Sequence, residues 1–226
     1  PISYATVLLS GEGSDEVFGG YGLYQKMLDI GNQLPLLKPM KYFPDRLAPG
    51  DRIKKYIDWF SSPLPDRYRG TSADVTDRIR RSFYSPDFLE YVKRNRYQDN
   101  AFHRWFKDVE RRNILSQLLY VDSKTWLPND LLLKADKMTM AASVELRVPF
   151  LDYKIVEFAA SLPPNYKINN GEGKFILKKL MEKYLPKEIV YRKKMGFTVP
   201  TQKWFSNDLL RPAKDIIFSK RLMDTG

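Results

Sequence analysis

Ser10-Gly11-Glu12-Gly13-Ser14-Asp15-Glu16 is the stretch whose residue types could do chemistry most directly. Glycines that follow a strand and open a helix leave backbone N–H groups facing outward, a geometry that suits anions such as phosphate. The stretch is neither of the common phosphate loops. No Gly-Lys-Ser/Thr follows it, and Glu16 stands where a dinucleotide fingerprint needs its third glycine. Its distinguishing feature is a trio of carboxylates, Glu12, Asp15 and Glu16. They would repel bare phosphate. Phosphate carried with Mg²⁺ suits them, because hard cations take carboxylate oxygens and bridge to phosphates. An ammonium or amine substrate would also be welcome. The plainer alternative is that Asp15 and Glu16 only complement the helix dipole.

Two later segments carry charge at suggestive spacing. Asp130 and Lys134 lie four apart in Asp130-Leu131-Leu132-Leu133-Lys134-Ala135-Asp136-Lys137, a helix-surface pair worth roughly 0.3 kcal/mol. Asp136 and Lys137 follow on the neighbouring face. Lys174, after Gly171-Glu172-Gly173, opens a helix whose apolar face is Phe175, Ile176, Leu177 and Leu180. A cation in a first turn opposes the helix dipole, so an anionic ligand would give Lys174 a reason to be there; a solvated lysine is the simpler reading. His103, the only histidine, lies in an aromatic stretch and reads as structural. Ser10 and Ser14 have no base near them in sequence to make either a nucleophile.

These residues need elements to position them. Ala5-Thr6-Val7-Leu8-Leu9 reads as a buried strand, and a helical pattern follows from about Asp15 to Leu28. Pro35, Pro39, Pro44 and Pro49 make 33–50 a loop. Helical spacing then recurs at Ile53, Ile57 and Phe60, at Phe88, Tyr91 and Val92, and at Phe102, Trp105, Phe106 and Val109. Ile114 to Trp126 is the most apolar helix, ended by Pro128. Asn129-Asp130 starts the next, to about 143, and Ser85-Pro86 starts another. Further helices are expected at about 153–162, from Lys174 to Tyr184 and at about 201–218, with 186–200 irregular. One strand among some nine helices reads as the helical flank of an α/β domain. A strand without sheet neighbours leaves an edge that invites pairing with a second copy of the chain.

Composition narrows the classes. The chain has 226 residues, 43% hydrophobic and 29% charged, which excludes disorder along the whole length. Mean hydropathy is −0.47, and no run of about 18 apolar residues exists to span a membrane. Cysteine is absent, which removes disulfides, thiolate zinc sites and cysteine nucleophiles and fits a reducing, cytoplasmic setting. Net charge is +11, from 38 Lys and Arg against 27 Asp and Glu. Short basic clusters such as Arg78-Ile79-Arg80-Arg81 and Arg192-Lys193-Lys194 are scattered among acids, with no long block of one sign. That pattern favours solvated helix faces over a nucleic-acid partner. The opening Pro1-Ile2-Ser3-Tyr4 carries neither an initiator Met nor a signal segment and reads as a piece cut from a longer chain.

In this order, the segments resemble the synthetase domain of glutamine-dependent asparagine synthetases. Val7 to Tyr21 is close to the family's VLSGEGSDE-FGGY signature. Lys137-Met138-Thr139-Met140-Ala141 and Val144-Glu145-Leu146-Arg147-Val148-Pro149-Phe150-Leu151-Asp152 match its K-S/T-M-A and VE-x-R-x-PFLD segments. Lys174 to Lys178 matches K-x-I-L-R/K, and Lys194, Gly196-Phe197 and Pro200 match K-x-GF-x-x-P. The resemblance covers nearly the whole chain, least clearly between about 33 and 110. It implies a nucleotide-binding, α-hydrolase-like and Rossmann-like α/β fold, of which residues 1–226 would be the later, mostly helical part of the synthetase domain, with one or few strands.

The resemblance also implies a reaction. ATP adenylates the side-chain carboxylate of aspartate, pyrophosphate leaves, and ammonia released from glutamine by a separate N-terminal domain displaces AMP. Carried over residue by residue, Ser10 and Gly11 would touch the nucleotide and Asp15 would bind Mg²⁺. Glu12 would assist ammonia attack, and Lys174 would stabilise charge on the transferring phosphate and pyrophosphate. Lys134, beside Asp136, lies where many relatives have a substrate-site Arg; a lysine gives a point charge there rather than a bidentate fork. The family's SGG-L/V-DS pyrophosphate loop and glutaminase cysteine have no match in the chain, so this piece alone is expected to be inactive. Competing readings are a related amidotransferase acting on a surface-polymer, peptide or β-lactam precursor, a basic helical module that binds nucleic acid, and a degenerate interaction domain.

Overall fold

A computed structural model describes residues 5–37, 62–68, 70, 82–94, 102–194, 200–206 and 209–223. The expected helix around Ile53, Ile57 and Phe60, and the Gly196-Phe197 pair, lie outside them. The chain divides into two units, 1–184 and 185–226. The described residues are mostly helical with a few short strands, as an α/β synthetase domain piece should be.

The first unit begins with β1 (Val7–Leu9), as its β-branched, apolar sequence dictates. It is not alone. β2 (Glu145–Arg147) runs parallel to it in the register Val7↔Glu145, Leu8↔Leu146, Leu9↔Arg147. β2 escapes sequence reading because Glu-Leu-Arg carries no apolar run. Nor is β1 buried: Leu9 is 73% exposed. Burial of a strand depends on the layers that cover it, and two paired strands of three residues supply few.

The helix expected over 15–28 is two helices. α1 (Ser14–Phe18) stops at Gly19, whose φ of 74° is the left-handed value that ends helices. α2 (Gly22–Leu37) then runs past Pro35, where a loop was expected. A proline near a helix end forfeits a single backbone bond, and burial of Tyr24, Met27 and Ile30 along the same helix outweighs that. α3 (Leu64–Arg67) and α4 (Pro86–Arg94) follow, the latter begun by Ser85, whose Oγ accepts from Phe88 N at 3.2 Å. α5 (His103–Asp108) is tied to α3 by His103 Nε2 and Asp66 Oδ1, 2.7 Å apart.

α6 (Ile114–Lys124) is capped by Asn113, whose side chain accepts from Ser116 N. It packs on α2 to make the main core of Tyr24, Met27, Ile30, Tyr68, Phe106, Leu115, Leu118, Leu119 and Val121. Pro128 does not end the helical path. It occupies the start of a π-helical turn, Leu127–Leu132, where its missing N–H costs nothing, and α7 (Leu133–Met140) continues from it. A second core joins Val17 and Phe18 of α1 to α8 (Tyr153–Ser161) through Ala159, Ile155 and Val156.

The end of this unit delivers Lys174. After α9 (Pro164–Lys167), β3 (Ile168–Asn169) and β4 (Glu172–Gly173) form an antiparallel hairpin. Its loop, Asn170-Gly171, has both φ angles positive, at 48° and 80°, the mark of the tight turn that Asn-Gly favours. α10 (Phe175–Met181) follows directly. In the second unit, the expected final helix is α12 (Thr201–Ser206), α13 (Leu210–Ile217) and α14 (Lys220–Met223), and α11 (Lys187–Val190) lies within the stretch read as irregular. No helix among the described residues is long and apolar enough to cross a membrane.

Candidate functional site

The acidic turn caps the carboxyl end of β1. Ser10 N extends the ladder by donating to Arg147 O at 2.9 Å, and Ser10 Oγ accepts from Glu12 N. Gly11 is exposed, and its carbonyl accepts from Ser14 Oγ at 2.7 Å. Glu12 and Asp15 remain partly exposed at the mouth of the turn. Glu16 does not join them. It is 1% exposed, turned inward, and takes a 2.5 Å hydrogen bond from the Tyr21 hydroxyl. Burial raises its pKa, opposed by that hydrogen bond and by the nearby Lys174 charge. The trio read from the sequence is therefore a pair of accessible acids with a third acid behind it.

Lys174 reaches this turn from the far end of the unit. Its ammonium donates to Ser14 Oγ at 2.8 Å and lies 3.2 Å from Asp15 Oδ2, with both charged side chains largely covered. The backbone is shaped for it. Lys174 caps α10 with φ 54° and ψ 35°, a conformation unfavourable for any residue with a Cβ. Its N–H donates to Phe18 O, and its carbonyl accepts from Lys178 N. Glycines allow the approach: a Cβ on Gly20 would overlap Asp15 Oδ1 and Lys174 Cε, and one on Gly173 would come within 2.5 Å of Gly19 O. A strained backbone held this firmly is a common feature of working sites. Lys178 is committed elsewhere, pairing with Glu172 to hold the hairpin against α10.

Lys134 and Asp136 stand apart from this gathering. Lys134 pairs with Asp130 at 3.7 Å, one helical turn away, and both Lys134 and Asp136 are exposed on α7. Neither bonds to the turn or to Lys174 among the described residues.

Behind the turn lies a polar interior that sequence reasoning did not single out. Asp122, on α6, is fully buried, and its Oδ2 accepts from Tyr24 and Tyr68 hydroxyls at 2.6 and 2.5 Å. Burial pushes its pKa up to about 6, opposed by those two hydrogen bonds. The same burial, next to Asp122, holds both tyrosine hydroxyls well above their ordinary range. An aspartate in the middle of the most apolar helix was the available signal.

Glycine turn, acids and lysine thus meet beyond the carboxyl end of a parallel strand, where α/β proteins bind their ligands. Comparison with known proteins makes that class specific. The asparagine synthase family profile matches residues 3–226, and the chain belongs to that family. It is 35% identical over 218 residues to asparagine synthetase [glutamine-hydrolyzing] 1 of Bacillus subtilis, covering 95% of this chain and 34% of that protein. Asparagine synthetase [glutamine-hydrolyzing] 3 of the same organism is 30% identical over 193 residues, covering 84% and 26% respectively. Amidase chyE of Penicillium rubens is 26% identical over 248 residues, covering 97% and 36%. The chain spans about a third of the length of the curated relatives it matches most extensively. No solved structure matches it significantly.

Proposed function

We propose that the protein to which this chain belongs makes asparagine. ATP activates the side-chain carboxylate of aspartate as an acyl-adenylate with loss of pyrophosphate, and ammonia derived from glutamine then displaces AMP. The observation that carries the reading is the meeting of Lys174 with Ser14 and Asp15 across 160 residues of sequence. The chain would be the later part of the synthetase domain, acting in the cytoplasm with a glutaminase domain and a pyrophosphate loop supplied by the rest of the protein.

The residues suit Mg²⁺–ATP. Mg²⁺ is usually held by one or two carboxylates together with substrate phosphates, and Asp15 already accommodates a cation, the Lys174 ammonium. Asp15 would hold the metal, with Ser10 and Gly11 against the nucleotide. When bound, Mg²⁺–ATP would supply the adenylyl group that activates the carboxylate. Lys174 would turn its ammonium toward the phosphates and offset the charge that develops as pyrophosphate departs. Glu12, at the mouth of the turn, would accept a proton from the attacking ammonia. Lys134 and Asp136, exposed on α7, would take part only in holding the acceptor.

The test uses the full-length protein with aspartate, glutamine and ATP. Asparagine and AMP formed in equal amounts support the reading; ATP consumption with another acceptor and not with aspartate refutes it. The likeness to an amidase over 97% of the chain favours that second outcome over any unrelated activity. For residues 1–226 alone, neither glutamine hydrolysis nor asparagine formation is expected. Aspartate-driven exchange of pyrophosphate into ATP by the isolated chain would contradict this.

A further inference from the structure

The lysine and its acidic partner are held by a third party. α1 and the turn after it form a closed unit: Gly19 N and Gly20 N both donate to Asp15 O at 2.9 Å, folding residues 19–20 back under the helix. The fold-back is fastened at its far end by a side-chain bond. The Tyr21 hydroxyl returns to Glu16 Oε1 at 2.5 Å, in a setting where Glu16 is 1% exposed. Three of the contacts that locate Lys174 touch the segment inside this clasp. Its amide bonds to Phe18 O, Gly173 packs against Gly19 O, and Lys174 Cε passes so close to Gly20 that no side chain fits there.

We propose that Glu16 and Tyr21 form a clasp that positions Lys174 against Asp15. They are positioning residues, Glu16 buried and Tyr21 partly buried behind the site, and neither touches the reacting groups. The proposal rests on the nucleotide-site reading for its consequence, since a misplaced Lys174 cannot meet the phosphates. The clasp itself stands on geometry alone. Loss of the Tyr21 hydroxyl removes the side-chain donor to Glu16 Oε1 while Oε2 already lacks a partner, leaving the buried carboxylate only the backbone N–H of Glu16 itself. A buried carboxylate in that state seeks water or a new donor, and the 18–21 turn must shift to supply one. The turn is the surface on which Lys174 lies.

The full-length protein, labelled with ¹⁵N-lysine, tests this. An ion-paired, largely covered ammonium exchanges its protons slowly and gives its own resonance, assigned by its disappearance in Lys174→Arg. The resonance should be present in the wild type and in Glu16→Gln, whose amide oxygen still accepts from Tyr21. Tyr21→Phe should lose it while keeping a cooperative unfolding transition, and Mg²⁺–ATP should bind at least tenfold more weakly. Gly20→Ala, which crowds Lys174 directly, should lose the resonance by an independent route that leaves the clasp itself in place. Retention of the resonance and of wild-type Mg²⁺–ATP affinity in Tyr21→Phe would overturn the proposal, as would its loss in Glu16→Gln. A wild type that shows the resonance, loses it in Tyr21→Phe and binds no Mg²⁺–ATP would support the clasp while refuting the nucleotide reading.

Discussion

Two lysine–aspartate pairs in this chain look alike in charge and differ in everything around them. Lys134 meets Asp130 at 3.7 Å, one turn along a helix, with both side chains in solvent. Lys174 meets Asp15 at 3.2 Å across most of the domain, with both side chains about three-quarters covered. The first pair could be deleted without any neighbour noticing. The second is fixed by a left-handed backbone at Lys174, by Gly20 and Gly173 at close approach, and by an interior of buried carboxylates and tyrosines. Precision of this kind costs stability, since strained backbone and buried polar groups both oppose folding. A protein that only needed a surface ion pair would use the cheaper arrangement.

The contrast can be broken most forcefully through activity. If the full-length protein forms asparagine as proposed, Lys174→Ala should lower its kcat by about 100-fold or more, the cost of removing one preorganised cation from a developing anion. Lys134→Ala should leave kcat within a few-fold and act, if at all, on KM for the acceptor. Equal losses in the two variants would erase the distinction.

The interior behind the site offers a test by pH. The folded state raises Asp122 from its ordinary value of 3.8 to about 6, so it binds a proton more tightly than the unfolded chain. That contribution to stability is fully present below about pH 4 and is lost as pH rises through about 6, a swing of up to about 3 kcal/mol. Glu16 shifts in the same direction. Denaturant midpoints of wild type and Asp122→Asn, compared from pH 4 to 7.5, should diverge with pH, the variant losing less stability on the alkaline side. Parallel curves would show that Asp122 is ionised in the fold at little cost.

Packing gives the next effect. Gly173→Ala places a methyl against the Gly19 carbonyl, and such overpacking should cost about 2 kcal/mol in unfolding experiments. The smallest effect is Lys134→Ala, expected to change stability by less than about 0.5 kcal/mol because its ion pair is exposed.

How much of this could be read beforehand depended on whether the cause was local. β1 and the glycine turn were legible because β-branched residues run directly into Gly and Ser. The helix over 153–162 was legible from its period and the prolines after it. The hairpin that delivers Lys174 carried a strong local signal in its Asn170-Gly171 pair, which favours a tight turn. The partnership of β1 with β2 was invisible, since its register joins residues 138 positions apart, as in Val7↔Glu145. Glu16 misled for the same reason. Its spacing matched that of Glu12 and Asp15, and only the Tyr21 hydroxyl and the packing of α1 show that it faces inward. The site was half legible: Ser10, Glu12, Asp15 and Lys174 do gather at one turn, whereas Lys134 and Asp136 form an ordinary solvated face.

Asp15 and Lys174 are proposed to act on one ligand. A double-mutant cycle with Asp15→Asn and Lys174→Met, read out as Mg²⁺–ATP affinity of the full-length protein by calorimetry, tests it most directly. A coupling energy above about 1 kcal/mol is expected, as for residues in contact at a shared site. Additive effects, or an affinity that neither substitution alters, would contradict it.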